Sequence, residues 1–499
     1  METGMHRQAP RRNLLHTIAL WTAILPIALF PGESGRAGEL DRRPNLVFIL
    51  ADDLGYGDPH CYNAASRIPT PNIDRLATQG MRFTDAHTPS AVCTPTRYGV
   101  LTGRYCWRTS LKRGVLQGYS PLLIEPGRMT VASLLKKNGY ATAAIGKWHL
   151  GLGKAASTDY ARPLTPGPNS VGFDYFFGIP ASLDMPPYCF VENDHVTKAP
   201  TARIEASEMR RKGGNGFWRA GAIAPGFKHE DVLPKLTEKA VAFLGRQSRT
   251  KRFFLYLALN APHTPWMPTP DFRGKSTAGH YGDYVAQVDA TLGRVSKALD
   301  EAGLAGSTLL IFTSDNGAHW LPSDIEKWNH RANDGLRGQK ADIWDGGHRV
   351  PFLARWPGKI RAGSTSTEPI CLTDLLATAA ELVGTRLPAD AGEDSFSIVP
   401  VLLGKKLERP IHEAIVHHSA DGTFGIRQGS WKLAMALGSH GFSIPRDIKP
   451  TKDGPRGQVY NLDDDLEEKN NLWLKRPDIV KRLTALLQKY QTEGRSRPK

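Results

Sequence analysis

Four side chains, Asp52, Asp53, Asp315 and Asn316, offer only oxygen atoms to a ligand. Brought together they make a site for a hard cation, Ca²⁺ or Mg²⁺, and a poor one for zinc, which takes thiolate or clustered imidazole. Adjacent carboxylates repel, so a neighbouring cation is a reason to place Asp52 beside Asp53. The plainer alternative is a pair of turn or capping aspartates. Lys147, His149, His263 and Lys340 supply cations and proton carriers, and with Arg97 they would surround a small tetrahedral oxyanion. Taken singly, each is an ordinary surface or hydrogen-bonded residue. Cys93 stands in "AVCTPTRYGVLTGRY", residues 91–105. There Thr94 suits a helix N-cap, Pro95 the first helical position, Arg97 the first turn and Gly103 the stop. Cys93 then lies at the mouth of a short helix, where free N–H groups favour negative charge. That suits a nucleophile attacking an anion, and it equally suits a plain buried cysteine. Two other motifs fail on spacing. In "HEAIVHH", from His412, the second histidine comes one residue late for a zinc protease, and "GLGKAAS", from Gly151, is not a phosphate-binding loop.

The elements that must position these residues share one pattern: a short continuous apolar run, then polar residues and glycine. It occurs in "NLVFILADDLGYGD" (45–58), "ATAAIGKWHLG" (141–151), "FFLYLALNAPHTPW" (253–266) and "STLLIFTSDNGAHW" (307–320). Such runs suit strands buried on both faces, as in parallel sheets. Helical patterns lie between them, at Asn72–Gly80, Thr130–Asn138, Asp231–Gln247 and Tyr284–Ala302. The alternation predicts an α/β fold with a large, mainly parallel or mixed sheet sandwiched by helices. Asp52-Asp53, Lys147 with His149, His263 and Asp315-Asn316 each follow a predicted strand, at the edge where open α/β sheets bind ligands. From about Glu408 the pattern turns β-rich, in "EAIVHHS", "FGIRQGSWKLAMAL" and "GQVYNL". A helix follows from about Pro477 to Tyr490, with Ile479, Leu483, Leu486, Leu487 and Tyr490 on one face. This predicts a smaller C-terminal antiparallel α+β subdomain. The expected division is 43–400 for the catalytic region and 408–499 for the subdomain, with a frayed "TEGRSRPK" end.

The chain has 499 residues and a formal net charge of +15, which suits an anionic partner. The charge is dispersed, without a long basic arm interleaved with aromatics, so no nucleic-acid partner is expected. Arg7, Arg11 and Arg12 precede an apolar run from Leu14 to Phe30, followed by small and turn residues to Ala37. Residues 1–37 read as a cleaved export signal, by the general or the twin-arginine route, with no stable membrane insertion afterwards. An uncleaved anchor is the alternative. The protein is expected in the periplasm or outside the cell. Five cysteines, Cys61, Cys93, Cys106, Cys189 and Cys371, leave at least one unpaired. If Cys93 is chemically occupied, the other four form two disulfides or none.

Taken in order, "ADDLGYGD", "PTPNIDRLATQGMRF", "CTPTRYGVLTGRY", "GKWHLG", "APHTPW", "TSDNG", "GLRGQKADIWDGGHRVPFLARWPG" and "VYNLDDDLEEKNNL" resemble the blocks of the type I sulfatases, members of the alkaline phosphatase superfamily. The resemblance covers roughly residues 43 to 490. Val100 departs where leucine is common, and the stretch from Pro186 to Phe227 matches no block. The resemblance implies that Cys93 is oxidised to formylglycine by a formylglycine-generating enzyme that reads Cys-x-Pro-x-Arg. It also implies a bound calcium ion, with magnesium as the alternative.

By the same resemblance, Asp52, Asp53, Asp315 and Asn316, with the side chain at 93, match the metal ligands. Arg97 and Lys147 match residues that position the hydrated aldehyde, and His149 the base that triggers sulfate release. His263 and Lys340 match residues that hold the sulfate and protonate the leaving oxygen, and Ser182 in "GIPASLD" matches a sulfate-contacting serine. The expected activity is hydrolysis of sulfate monoesters of sugars or phenols. Two alternatives are a phosphate or phosphonate hydrolase of the same superfamily and an inactive binder of sulfated glycans. The insertion between Asp184 and Phe227, with Tyr188, Glu192, Arg203, Arg210, Arg211, Trp218 and Arg219, is expected to line the substrate cleft and to favour anionic carbohydrate; the plainer alternative is a surface excursion with no role.

Overall fold

In the computed structural model, which describes residues 43–209 and 216–498, the apolar runs become the centre of a ten-stranded sheet. Across the sheet the strands are Ser364–Ser366, Met81–Phe83, Phe352–Arg355, Thr308–Ser314, Asn45–Asp52, Phe253–Pro262, Ala141–Lys147, Tyr175–Ile179, Val191–Glu192 and His195–Val196. The five from Thr308–Ser314 to Tyr175–Ile179 run parallel, and antiparallel pairs flank them on both sides, so the sheet is mixed. The export signal expected over 1–37, and Arg210 and Arg211, lie outside the described residues. Among the described residues no helix is long and apolar enough to cross a membrane.

Alternation along the central strand explains why its run is unbroken. Leu46, Phe48 and Leu50 enter one core, and Val47, Ile49 and Ala51 the other. The first core holds Tyr98, Val100 and Leu101 of the Cys93–Thr102 helix and Leu134 and Leu135 of Val131–Lys137. The second holds Ile73 and Leu76 of Pro71–Gln79, Leu236 and Phe243 of Val232–Gly245, and Val288 and Leu292 of Gly279–Glu301. Each such buried side chain contributes about 1.5–3 kcal/mol. The last helix starts five residues before the predicted Tyr284.

The C-terminal strands Ile415–His418, Phe424–Gln428, Trp431–Ala434 and Gln458–Asn461 form a four-stranded antiparallel sheet. Ile479, Leu483, Leu486, Leu487 and Tyr490 of the Pro477–Thr492 helix share its core with Tyr105 and Trp107.

Three local expectations are settled differently or more narrowly. The signature helix begins at Cys93 with extended Val92 before it, so Thr94 is not its cap. The Thr94 hydroxyl instead donates to the His149 carbonyl (3.0 Å) and accepts from the Leu116 N–H (3.2 Å), tertiary partners that displace the local one. Gly103 does stop the helix, in the left-handed region at φ 63°. The chain end is docked rather than frayed. The Ser496 N–H and hydroxyl both donate to Asp394 (2.9 Å each), and Arg495 donates to the Ala389 carbonyl. All five cysteines are free thiols, so of the two disulfide outcomes the structure has none.

Candidate active site

Asp52 closes the central strand, Lys147 closes the Ala141–Lys147 strand, His263 follows Phe253–Pro262, and Asp315 and Asn316 follow Thr308–Ser314. Parallel register sets these ends side by side, with Asp52 opposite Pro262 and Ala51 opposite Ser314. Asp53 (φ 65°) and His149 (φ 54°) both take left-handed backbone, a cost of about 1–3 kcal/mol each that surrounding structure must hold. For Asp53 the hold is explicit. Its N–H donates to Asp315 (3.2 Å), the Leu54 N–H to the Ser314 hydroxyl (2.9 Å) and the Gly55 N–H to Asp58 (2.7 Å). Asp58 is itself held by His330 (2.8 Å) and by the Tyr281 hydroxyl, two residues the sequence did not single out.

The charged groups pair in the interior. Lys147 Nζ donates to both Asp52 oxygens (2.8 and 2.9 Å) and to the Ser182 hydroxyl (3.2 Å). Arg97, fully buried, donates through Nε (2.9 Å) and Nη2 (2.6 Å) to Asp315 and through Nη1 to the Lys147 carbonyl (3.1 Å). Lys340 Nζ lies 2.7 and 2.8 Å from the two Asp53 oxygens. His263 touches the Ser182 hydroxyl (3.2 Å), stands 3.7 Å from Asp53 and donates through Nδ1 to the Thr264 carbonyl (2.5 Å).

Three carboxylates thus face three fixed cations. For Asp52, burial alone would raise the pKa, but Lys147, His263, Arg97 and Lys340 hold it well below the usual range. At Asp315 burial and then the Asp52 charge prevail over Arg97 and Lys147, and the carboxyl is pushed up to about 6. Burial likewise pushes the Cys93 thiol up to about 11, against Lys147 and Lys340. His149 falls well below an ordinary histidine, through burial and then Lys147 and Arg97.

Ligand atoms of Asp52, Asp53, Cys93 and His263 lie within 4.8 Å of one another. Asn316 Nδ2 donates to Asp53 (2.7 Å), while its buried Oδ1 has no hydrogen-bond partner among the described residues. Carboxylates with a spare amide oxygen fit a hard divalent cation. One Asp315 oxygen pairs with Arg97 and the other accepts from the Asp53 N–H, and His263 lies in the same group of ligand atoms as Asp52 and Asp53.

Cys93, Asp53, His149, His263 and Lys340 line one cavity of about 330 Å³. Phe217 and Arg219 of the unmatched segment, and Asp184 and Met185 where it begins, line it too, as do Trp266, His319 and Phe442. Other residues named in that segment serve elsewhere. Glu192 pairs with Lys239 (2.8 Å), Trp218 stacks on His229 at 4.9 Å, and Arg203 is exposed beside Glu205. The Tyr188 hydroxyl donates to the Arg219 carbonyl (2.6 Å). Phe442 comes from the far end of the chain and carries no motif that sequence reading could have used.

Buried cations and a neutral imidazole around a thiol at a helix N-terminus, at the ends of parallel strands, define a hydrolytic centre for small tetrahedral oxyanion esters. Residues 44–385 match the family described as Sulfatase. Over 489 residues the chain is 36% identical to an N-acetylgalactosamine-6-O-sulfatase of Bacteroides thetaiotaomicron, covering 91% of this chain and 94% of that protein. Human arylsulfatase A is also 36% identical, over 78% of this chain and 74% of its own. A structure from work on the metabolism of multiple glycosaminoglycans by Bacteroides thetaiotaomicron superposes with a TM-score of 0.79 at 35% identity, covering 90% of this chain and all of that one. The PsFucS1 sulfatase of a Pseudoalteromonas species gives 0.69 at 26% identity, over 91% and 93%. The chain belongs to the sulfatase family and is a sulfuric ester hydrolase.

Proposed function

We propose that this enzyme is an exported, calcium-dependent sulfatase that removes sulfate from sulfated carbohydrate, using formylglycine made from Cys93. The observation that carries the reading is the single cavity in which residue 93 meets Asp53, His149, His263 and Lys340. The match to an N-acetylgalactosamine-6-O-sulfatase over nearly the full length of both chains supports a sugar sulfate, with N-acetylgalactosamine 6-sulfate the first candidate.

An unmodified Cys93, with its pKa pushed up to about 11, is a neutral thiol at pH 7 and a weak nucleophile. A formylglycine hydrate at that position supplies two hydroxyls on one carbon, one to attack sulfur and one whose deprotonation releases sulfate. Calcium, when bound, supplies charge that stabilises the sulfuryl oxygens. Asp52, Asp53, Asp315 and Asn316 would hold the ion, beside residue 93. Arg97 and Lys147, themselves held by Asp315 and Asp52, would position the hydrated aldehyde of residue 93, and Ser182 joins Lys147 to His263.

His149 suits the base. Its Nε2–H donates to the Leu116 carbonyl (2.8 Å), which leaves the lone pair on Nδ1, and that atom has no partner among the described residues. Its depressed pKa keeps it neutral at pH 7. Lys340 holds its proton firmly, because Asp53, then Cys93 and Asp52, raise its pKa against burial. Lys340 is thereby suited to binding sulfate, and His263, which lines the cavity beside it, is assigned to the leaving oxygen. Cys93, Pro95 and Arg97 are buried, so the modifying enzyme would have to act before the chain folds. We assign 43–400 to the catalytic region and 408–499 to a supporting subdomain, and the 1–37 signal to export into the periplasm or beyond.

The test is mass spectrometry of the peptide carrying residue 93, with sulfate release from N-acetylgalactosamine 6-sulfate. Aldehyde in place of thiol, and no activity in Cys93→Ala, are expected. An active enzyme with intact thiol overturns the nucleophile, and faster hydrolysis of an aryl phosphate overturns the sulfate preference.

A further inference from the structure

Phe442 is 47% exposed, yet its backbone is firmly tied. Asp342 holds it. One carboxylate oxygen accepts from the Phe442 N–H (2.7 Å) and the Ser443 N–H (3.1 Å). The other accepts from the Ser443 hydroxyl (2.5 Å) and the Gln339 N–H (2.9 Å). The Ile343 N–H donates to the Ser439 carbonyl (2.9 Å), and the Ser439 hydroxyl donates to the Ser443 carbonyl (2.6 Å). A Cβ on Gly441 would stand 2.4 Å from the Ala341 carbonyl, so the two backbones lie in direct contact. The segment clamped in this way, Gln339 to Ile343, contains Lys340. Phe442 is thus fixed relative to the lysine that faces Asp53, and it lines the same cavity with its ring 5.0 Å from that of His319.

Leaving an aromatic ring half in water forgoes the stabilisation that burying it would bring. Holding its backbone rigid as well removes the ordering cost that a ligand would otherwise meet. A fixed, half-exposed ring in a cavity that also holds Asp53, His149, His263 and Lys340 suits a ligand with one flat C–H face and polar edges. A pyranose has that shape. We propose that Phe442 is a specificity-determining residue, whose ring is the platform for the sugar that bears the sulfate, held by Asp342 in register with Lys340. This rests on the carbohydrate reading above.

The test compares wild type, Phe442→Ala, Phe442→Trp and Ile444→Ala on N-acetylgalactosamine 6-sulfate, with inorganic sulfate as a competitive inhibitor. Ile444 is 87% exposed on the same loop and does not line the cavity, so it controls for loop disturbance. Phe442→Ala is expected to raise KM about tenfold, the scale of one lost aromatic contact, while the inhibition constant for sulfate stays within about twofold. Phe442→Trp restores KM, and Ile444→Ala changes neither quantity. If wild type hydrolyses the sugar sulfate but Phe442→Ala keeps its KM, the platform alone is wrong. If KM and the sulfate constant rise together, Phe442 acts through the fold and the proposal is overturned. If wild type hydrolyses no sugar sulfate, the carbohydrate reading fails and the platform with it.

Discussion

Cation binding at the strand ends should register as stability, and Asp53 should decide it. Its carboxylate faces Lys340 (2.7 Å) and the Asn316 amide (2.7 Å), and it belongs to the group of ligand atoms within 4.8 Å of one another. An ion present at 100 times its Kd adds about 2.7 kcal/mol to the folded state. The body to be unfolded has roughly 460 residues. At ~2.1 cal/mol/K per residue its unfolding entropy is about 1 kcal/mol/K. Wild type should therefore melt about 3 °C higher in excess calcium than in chelator. In Asp53→Asn that increment should vanish. The metal-free variant should also melt about 3–5 °C below metal-free wild type, because Lys340 is left buried without its partner, at about 3–5 kcal/mol. Calorimetry of both proteins in chelator, calcium, magnesium and zinc measures all of this. An equal calcium increment in wild type and Asp53→Asn would place the ion elsewhere. A larger increment from zinc than from calcium would refute the oxygen-donor argument.

Replacing His149 by Ala should lower kcat about 10²–10⁴-fold with little change in KM. Burial, Lys147 and Arg97 set the folded pKa of this imidazole below its unfolded value, so its contribution to stability is whole above about pH 6.5 and is lost as pH falls below that. The kcat profile should then show no His149 limb between pH 6 and 8, and an acid limb near 6.5 that disappears in His149→Ala would contradict the assignment. Arg97→Met leaves Asp315 buried beside Asp52 and should cost about 3–5 kcal/mol in urea unfolding; a loss under about 1 kcal/mol would mean the pair is not structural. Truncation after Gly494 removes two hydrogen bonds to the buried Asp394 and should lower the melting temperature by about 3 °C, at about 1.5 kcal/mol for each bond to a charged group. No shift would show the docked tail to be passive.

Asp52, Asp53, Lys147, His149, His263, Asp315 and Asn316 come to one place because they stand at or just after the ends of parallel strands, while Cys93 and Arg97 join them from a helix and Lys340 from a turn. That much was legible: a strand buried on both faces must be apolar at every position, so its end is marked by the first acids or bases after the run. The helix at 131–137 falls within the helical pattern read over 130–138, and the structure closes its start with a reciprocal Thr130–Ser133 pair, contacts only three residues apart. Where the reading failed, the deciding partner lay far along the chain. Thr94 left its capping role for His149 and Leu116, and the polar tail found Asp394 about a hundred residues before it.

The sequence by itself determined the order of strands and helices, the residues at the strand ends and the family. Those depend on periodicity and on contiguous motifs, which the chain carries locally. Only the tertiary structure decided that Asp315 pairs with Arg97, that His263 stands beside Asp52 and Asp53, that Asp58, Tyr281 and His330 support the Asp53 turn, and that Phe442 reaches the cavity. These are pairings across tens to hundreds of residues. The choice among many possible partners is made by burial and charge balance in three dimensions, which no local pattern encodes.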